Sequence, residues 1–150
     1  MLALTLVADM TGVTNLRPDD TDDDPFIYML KVQCTSCRET HDKMVGVNRI
    51  EMRGISGSKG ESNFVWRLIR APPKPYLITS PPKQQTILEF DCRGCEFVDF
   101  SPDGEWLVDG VESGTKFSSI DLTEGEWFEY DEKAGEEVTI KDLKWEIKRA

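Results

Sequence analysis

Apolar and polar residues alternate along this chain in short runs and rarely recur every three or four positions. LALTLVA (2–8), FIYMLKVQ (26–33), residues 44–55 and 62–70, TILEFD (86–91), GEWLVDG (104–110), TKFSSIDL (115–122), GEWFEY (125–130) and VTIKDLKWEI (138–147) each suit an extended strand. In a strand, successive side chains point to opposite faces, so alternation buries one face and wets the other. Gly, Pro and Asp fall between the runs, where turns need them. The pattern predicts about nine or ten short strands in a mainly β fold with little helix.

A faint internal repeat refines this expectation. YMLKVQCTSC (28–37) lies over TILEFDCRGC (86–95) without a gap, so Leu30, Val32 and Cys34 match Leu88, Phe90 and Cys92. Alternate residues of a strand share a face, so the first cysteine of each pair should point inward. Between the copies, APPKPYLITSPPK (71–83) holds five prolines. Proline lacks the N–H that a helix interior or a central strand needs. The segment therefore reads as a crossover. The chain is expected to be a single domain, 1–150, with pseudo-repeated halves, about 1–70 and 84–150. Each half would build mainly one of two similar antiparallel sheets packed together.

Composition changes the picture in two ways. At 150 residues and 39% apolar content, the chain can bury a core without staples. Its net charge of −10 repels phosphate backbones and anionic lipid, which argues against nucleic acid and membrane partners. A protein with a basic surface is the expected mate, met by a monomer. No segment nears the ~18 apolar residues of a membrane span. The start, MLALTLVADM, has no basic region and soon meets Asp9, so a signal peptide is not expected. The expected address is the cytoplasm, where paired cysteines mean metal or reversible redox chemistry. A secreted protein with two short-range disulfides is the alternative.

The candidate chemistry lies in four cysteines, Cys34-Thr-Ser-Cys37 and Cys92-Arg-Gly-Cys95. A tight turn between two thiols lets both reach one zinc ion at about 2.3 Å. Two such knuckles usually share a zinc, yet 54 residues separate Cys37 from Cys92. The repeat puts them at equivalent places in different halves, and so apart. His41, the single histidine, is a possible third ligand beside Cys34 and Cys37, though a loop histidine is the simpler reading. No helix pattern follows either pair to lower a thiol pKa, which weakens a redox role. The acidic run RPDDTDDDP (17–25) lacks the ordered spacing of a calcium loop. GISGSKG (54–60) lacks the order of a phosphate-binding loop and reads as a hairpin connection. Trp66, Trp106, Trp127 and Trp145 are expected in the core or covering sheet edges. No catalytic residue stands out.

TNLRP (14–18), CTSC with HDK after it (34–43), KGESNFVWRL (59–68), FDCRG (90–94) and GVESGTKFSSIDLTEGEWFEYDEK (110–133) resemble the eukaryotic CXXC-motif-containing zinc-binding protein family. The resemblance runs in order over nearly the whole chain. It implies two similar antiparallel sheets in one compact unit and no established reaction. It also implies a zinc held by a first C-x-x-C, matching Cys34 and Cys37, and by a second after the NFVW strand. That second pair falls on Leu68 and Ala71, which cannot bind metal. Cys92 matches a cysteine common in the family, whereas Cys95 stands where an apolar residue is expected.

The resulting expectation is a non-enzymatic acidic β-protein acting through protein contact, with a degenerate zinc knuckle and no cofactor. Zinc on Cys34 and Cys37 is the alternative, as are redox or disulfide pairs Cys34–Cys37 and Cys92–Cys95. Leu68 and Ala71 are expected to pack near Cys34 and Cys37.

Overall fold

LALTLVADMT, β1 (Leu2–Thr11), is buried along most of its length on both faces, so it needs cover on both faces and pairing on both edges. It obtains the pairing from β12 (Glu136–Arg149) on one edge and β7 (Gln85–Arg93) on the other, both antiparallel. The structure, a computed structural model, describes residues 2–21, 23–41, 43–48, 53–56, 63–68 and 73–149, with backbone alone for 53–56 and 63–68. The other strands are β2 (Val13–Pro18), β3 (Tyr28–Cys34), β4 (Val45–Val47), β5 (Arg53–Ser56), β6 (Asn63–Leu68), β8 (Cys95–Ser101), β9 (Trp106–Gly110), β10 (Lys116–Ile120) and β11 (Trp127–Asp131). No helix occurs among the described residues, and none there is long and apolar enough to cross a membrane.

The strands form three antiparallel sheets: β11-β12-β1-β7-β6-β5, β10-β9-β2 and β4-β3-β8. The all-β class and the scarcity of helix agree with the alternation in the sequence. The distribution of strands differs from one sheet per half. Each sheet draws strands from both sides of the proline-rich crossover, because β1 pairs β7 and β12, β2 pairs β9, and β3 pairs β8. For the large sheet the cause lies in burial. A strand buried on both faces, such as β1, must sit centrally and recruit partners from far along the chain.

One hydrophobic core joins the sheets. Leu4, Leu6, Leu16, Leu30, Val32, Phe90, Val108, Val138 and Ile140 all lie within it, fully or almost fully buried. Its aromatic spine runs Tyr28–Phe26–Trp106–Trp145–Phe100, with successive ring centroids 4.8, 5.3, 5.5 and 4.8 Å apart. Those spacings suit edge and tilted ring contacts. Trp106 is fully buried and donates its indole N–H to the Pro102 carbonyl. Trp127 packs edge-on against Phe117. These three tryptophans take the packing places expected of them; the Trp66 side chain lies outside the description.

The crossover is tied down by one residue. Tyr76 exchanges both backbone hydrogen bonds with Leu16 of β2. Its hydroxyl, fully buried, accepts the Ala8 N–H at 3.1 Å and lies 2.8 Å from the Lys83 carbonyl. Ala8 sits where the β1–β12 register shifts and beyond Gln85, the last β7 partner of β1, so the phenol fills a vacated rung. In the acidic run, Asp20 is more than a solvated charge: it accepts the Tyr28 hydroxyl and the Phe26 N–H. The glycine-rich stretch joins β5 to β6, which pair antiparallel as a hairpin would; residues 57–62 lie outside the description.

Candidate functional site: four thiols between two sheets

Alternation carries β3 inward at Leu30, Val32 and Cys34. The chain then reverses in a tight loop: the Arg38 N–H donates to the Cys34 carbonyl, the Cys34 N–H donates to the Glu39 carbonyl, and Arg38 takes a left-handed conformation. The loop leaves Cys34 buried and Cys37 exposed. On the other side, β7 brings Leu88 and Phe90 inward, and the chain passes from the large sheet to the small one at Gly94, whose φ of 73° suits glycine. Cys92 is half-buried and Cys95 buried. The expectation that each first cysteine points inward therefore holds fully for Cys34 and in part for Cys92.

The two pairs do not lie apart. β3 and β8 are antiparallel neighbours, and their register sets Cys34 directly opposite Cys95. The Thr35 N–H donates to the Gly94 carbonyl at 3.2 Å, which makes Cys34–Cys95 a non-hydrogen-bonded pair, the kind with the closer side chains. The gapless repeat misled because equivalent strand ends need not be distant. The second cysteine of the later pair opens β8, a strand that the sequence pattern did not pick out.

Their surroundings set the thiols apart. The Cys37 N–H chiefly, then the Cys37 thiol and the Ser36 N–H, hold the Cys34 pKa below the ordinary thiol value. The Cys92 thiol, then the Arg93 N–H, hold Cys95 low in the same way, against its burial and the nearby Cys34. Cys92 itself is pushed up, first as the donor to Cys95 and then by desolvation. The two thiols held low, Cys34 and Cys95, are the two that face each other across the β3–β8 ladder. A pocket of about 180 Å³ opens beside them, lined in part by Cys92, Cys95, Glu96 and Arg149.

Cys34 and Cys37 could supply two of the four ligands of a closed zinc shell, and the N–H groups that keep the Cys34 pKa low favour its thiolate form. The described residues do not complete it: no three or more His, Cys, Asp or Glu side chains converge to hold a metal ion. His41 is placed by its backbone N–H on the Val32 carbonyl and joins no such group among the described residues. Leu68 stands on β6 opposite Phe90, one rung pair from Trp66 opposite Cys92. Its side chain and the whole of Ala71 lie outside the description, as does their expected packing near Cys34 and Cys37.

Elsewhere, polar clusters serve the fold. Asp109 draws Asn15, Arg17 and Lys116 together beside β2 and β9. Asp131, nearly fully buried, accepts hydrogen bonds from the Ser113 and Thr115 hydroxyls and from the Lys133 and Ala134 N–H groups. The sequence pattern singled out neither, because their side-chain partners lie on other strands and loops.

The comparisons with known proteins agree with this architecture. The chain is similar to a Schizosaccharomyces pombe UPF0587 protein, 44% identical over 99% of this chain and 98% of the other. It is similar to the human CXXC motif containing zinc binding protein, 37% identical over 95% of this chain and 94% of the relative. Among solved structures, the crystal structure of C1orf123 superposes with a TM-score of 0.90 at 34% identity, covering 99% of both chains. A hypothetical protein from Plasmodium falciparum shares the fold, with a TM-score of 0.84 at 16% identity over 98% of both chains. The family model described as CXXC motif containing zinc binding protein, eukaryotic, matches residues 3–148, and with these relatives it establishes that the chain belongs to that family.

Proposed function

We propose that the protein is a non-enzymatic interaction module that docks a basic, extended segment of a protein partner on the open edge of β11. The carrying observation is that edge. β11 ends the six-stranded sheet, with no strand beyond it among the described residues. An open edge offers unpaired N–H and C=O groups to an added strand. Phe128 and Tyr130, 59% and 51% exposed, are two positions apart on one face of β11. They line a shallow depression with Glu129, Glu137, Val138 and Thr139. Residues 124–137 hold six glutamates and one lysine, so a basic segment is the complementary occupant.

On this reading the protein works as a cytoplasmic monomer and avoids nucleic acid and anionic membranes, which its net charge of −10 repels. The test is titration of an isotope-labelled full chain with an alternating Lys–Val peptide at low salt. Amide shifts confined to β11 and β12, and lost in Phe128→Ser/Tyr130→Ser, support the reading. Absence of binding, or equal binding by the variant, overturns it.

A second reading keeps a metal. Cys34 and Cys37 would supply two thiolates, and a partner or small ligand the rest of the shell. It is favoured by the lowered pKa of Cys34, which the neighbouring Cys37 and Ser36 N–H groups help to set, and by the zinc in the family's name. Zinc analysis of the purified, reduced chain tests it. One tightly held zinc per chain, lost in Cys34→Ser, supports it; no zinc retained after desalting from a zinc-containing buffer refutes it.

A further inference from the structure

We propose that the four cysteines form one dithiol–disulfide relay, in which the cross-strand pair Cys34–Cys95 carries oxidation between the Cys34–Cys37 loop and the Cys92–Cys95 turn. The thiols are grouped in pairs. One tight loop, closed by the Arg38 N–H on the Cys34 carbonyl, carries Cys34 and Cys37, and the turn at Gly94 carries Cys92 and Cys95. Cys34 faces Cys95 in a non-hydrogen-bonded site of the β3–β8 ladder. Such sites bring Cα atoms to about 4.5 Å, within the ~4.4–6.8 Å that a disulfide spans. A relay needs only these successive contacts, not the convergence on one point that a metal demands. Access is graded as well: Cys37 is exposed and the two central thiols are buried. At the far end, Cys92 and Cys95 line the pocket beside Arg149.

The oxidant is a small disulfide of the glutathione class. The Cys37 thiolate attacks one of its sulfurs, a mixed disulfide forms, and one small thiol leaves. Cys34 gives its proton to solvent and attacks the Cys37 sulfur, and the second small thiol leaves and takes up a proton. One external disulfide has been reduced to two thiols, and Cys34–Cys37 is oxidised. Cys95, deprotonated, then attacks Cys34; the Cys34–Cys95 bond forms and Cys37 recovers its proton. Cys92, no longer donating to a Cys95 thiolate, gives up its proton and attacks Cys95; the Cys92–Cys95 bond forms, the Cys34–Cys95 bond breaks, and Cys34 leaves and takes up the proton. Each later step exchanges one S–S bond for another, with no net gain or loss of electrons. The product disulfide lines the pocket, where an external thiol can reduce it.

The test uses the full chain, reduced, desalted and kept with a chelator so that metal cannot mask the thiols. Oxidised glutathione is added to dilute protein. Samples are acid-quenched, alkylated, digested and mapped by mass spectrometry. In Cys92→Ser the relay should stop one step short, and the Cys34–Cys95 linkage should accumulate. Accumulation of Cys34–Cys37 alone overturns the proposal, as do thiols that all remain open to alkylation after denaturation. Circular dichroism checks that Cys92→Ser keeps its strand spectrum. Should it not fold, the unsubstituted chain is read under limiting oxidant. A Cys34–Cys95 linkage must then appear during the time course, and its absence throughout overturns the relay.

Discussion

Replacing Tyr76 by Phe removes one oxygen from a fully buried ring and leaves the packing intact. That oxygen accepts the Ala8 N–H at 3.1 Å and approaches the Lys83 and Ala8 carbonyls at 2.8 and 3.2 Å. A phenol has one proton, so the shorter contact, to Lys83, is its main donation. Lys83 is reached by water, and its carbonyl can find another partner; the Ala8 N–H is buried at a rung that neither β7 nor the shifted β12 register fills. A lost hydrogen bond costs about 1 kcal/mol net, and a buried donor left without a partner costs ~1–3. The expected loss is about 2–3 kcal/mol, or roughly 4–12 °C in Tm for a chain of this size. Urea unfolding followed by tryptophan fluorescence should show a lower midpoint with an unchanged slope. Tyr130→Phe, at an exposed position, is the control and should be silent. A loss below about 0.5 kcal/mol would mean that the hydroxyl does not satisfy Ala8 and that the crossover is anchored by the Tyr76 backbone alone.

Three further outcomes follow from packing, electrostatics and exposure. Gly104 has a φ of +105°, and an added Cβ would come within 2.7 Å of the Phe26 ring, which Tyr28 and Trp106 hold on either side; Gly104→Ala should lower the unfolding free energy by about 1–3 kcal/mol. Asp131 is held below its ordinary pKa, first by the Ser113 hydroxyl and against desolvation. Its unfolded value is near ~3.9, so its stabilising contribution is full above that pH and is lost as pH falls from there through the lower folded value. Asp131→Asn should therefore be less stable near neutrality and show a flatter acid limb in urea midpoints measured against pH; a parallel acid limb would refute the role. Phe128→Ser/Tyr130→Ser, designed for the binding test, should leave Tm unchanged within about 1–2 °C, because both rings are already wet.

Strand content and the inward faces of β3 and β7 were legible because alternation is local. Leu30, Val32, Leu88 and Phe90 report their own burial to any reader of the sequence. Partnership was not legible. That β1 lies between β7 and β12, or that β3 meets β8, depends on which buried faces match across most of the chain, and no local pattern records it. The same gap explains the cysteines. Cys34 reads as inward and knuckle-forming from its neighbours alone, whereas its closeness to Cys95 is a property of the β3–β8 register. Tyr76 escaped notice because a tyrosine in a proline-rich stretch reads as crossover, and its value lies in the unfilled rung at Ala8.

The pairing of Leu2 with Arg149 at one end of the β1–β12 ladder has a kinetic meaning. β1 is among the most apolar segments, yet its longest pairing is with β12, which lies on the far side of the sequence and is made well after it. Until β12 arrives, β1 must be kept from other edges, its own kind included. Closing so long a loop before the ladder can reward it places this chain among slow folders of high contact order. The interval in which LALTLVA waits is when it is most exposed to aggregation and most in need of a chaperone.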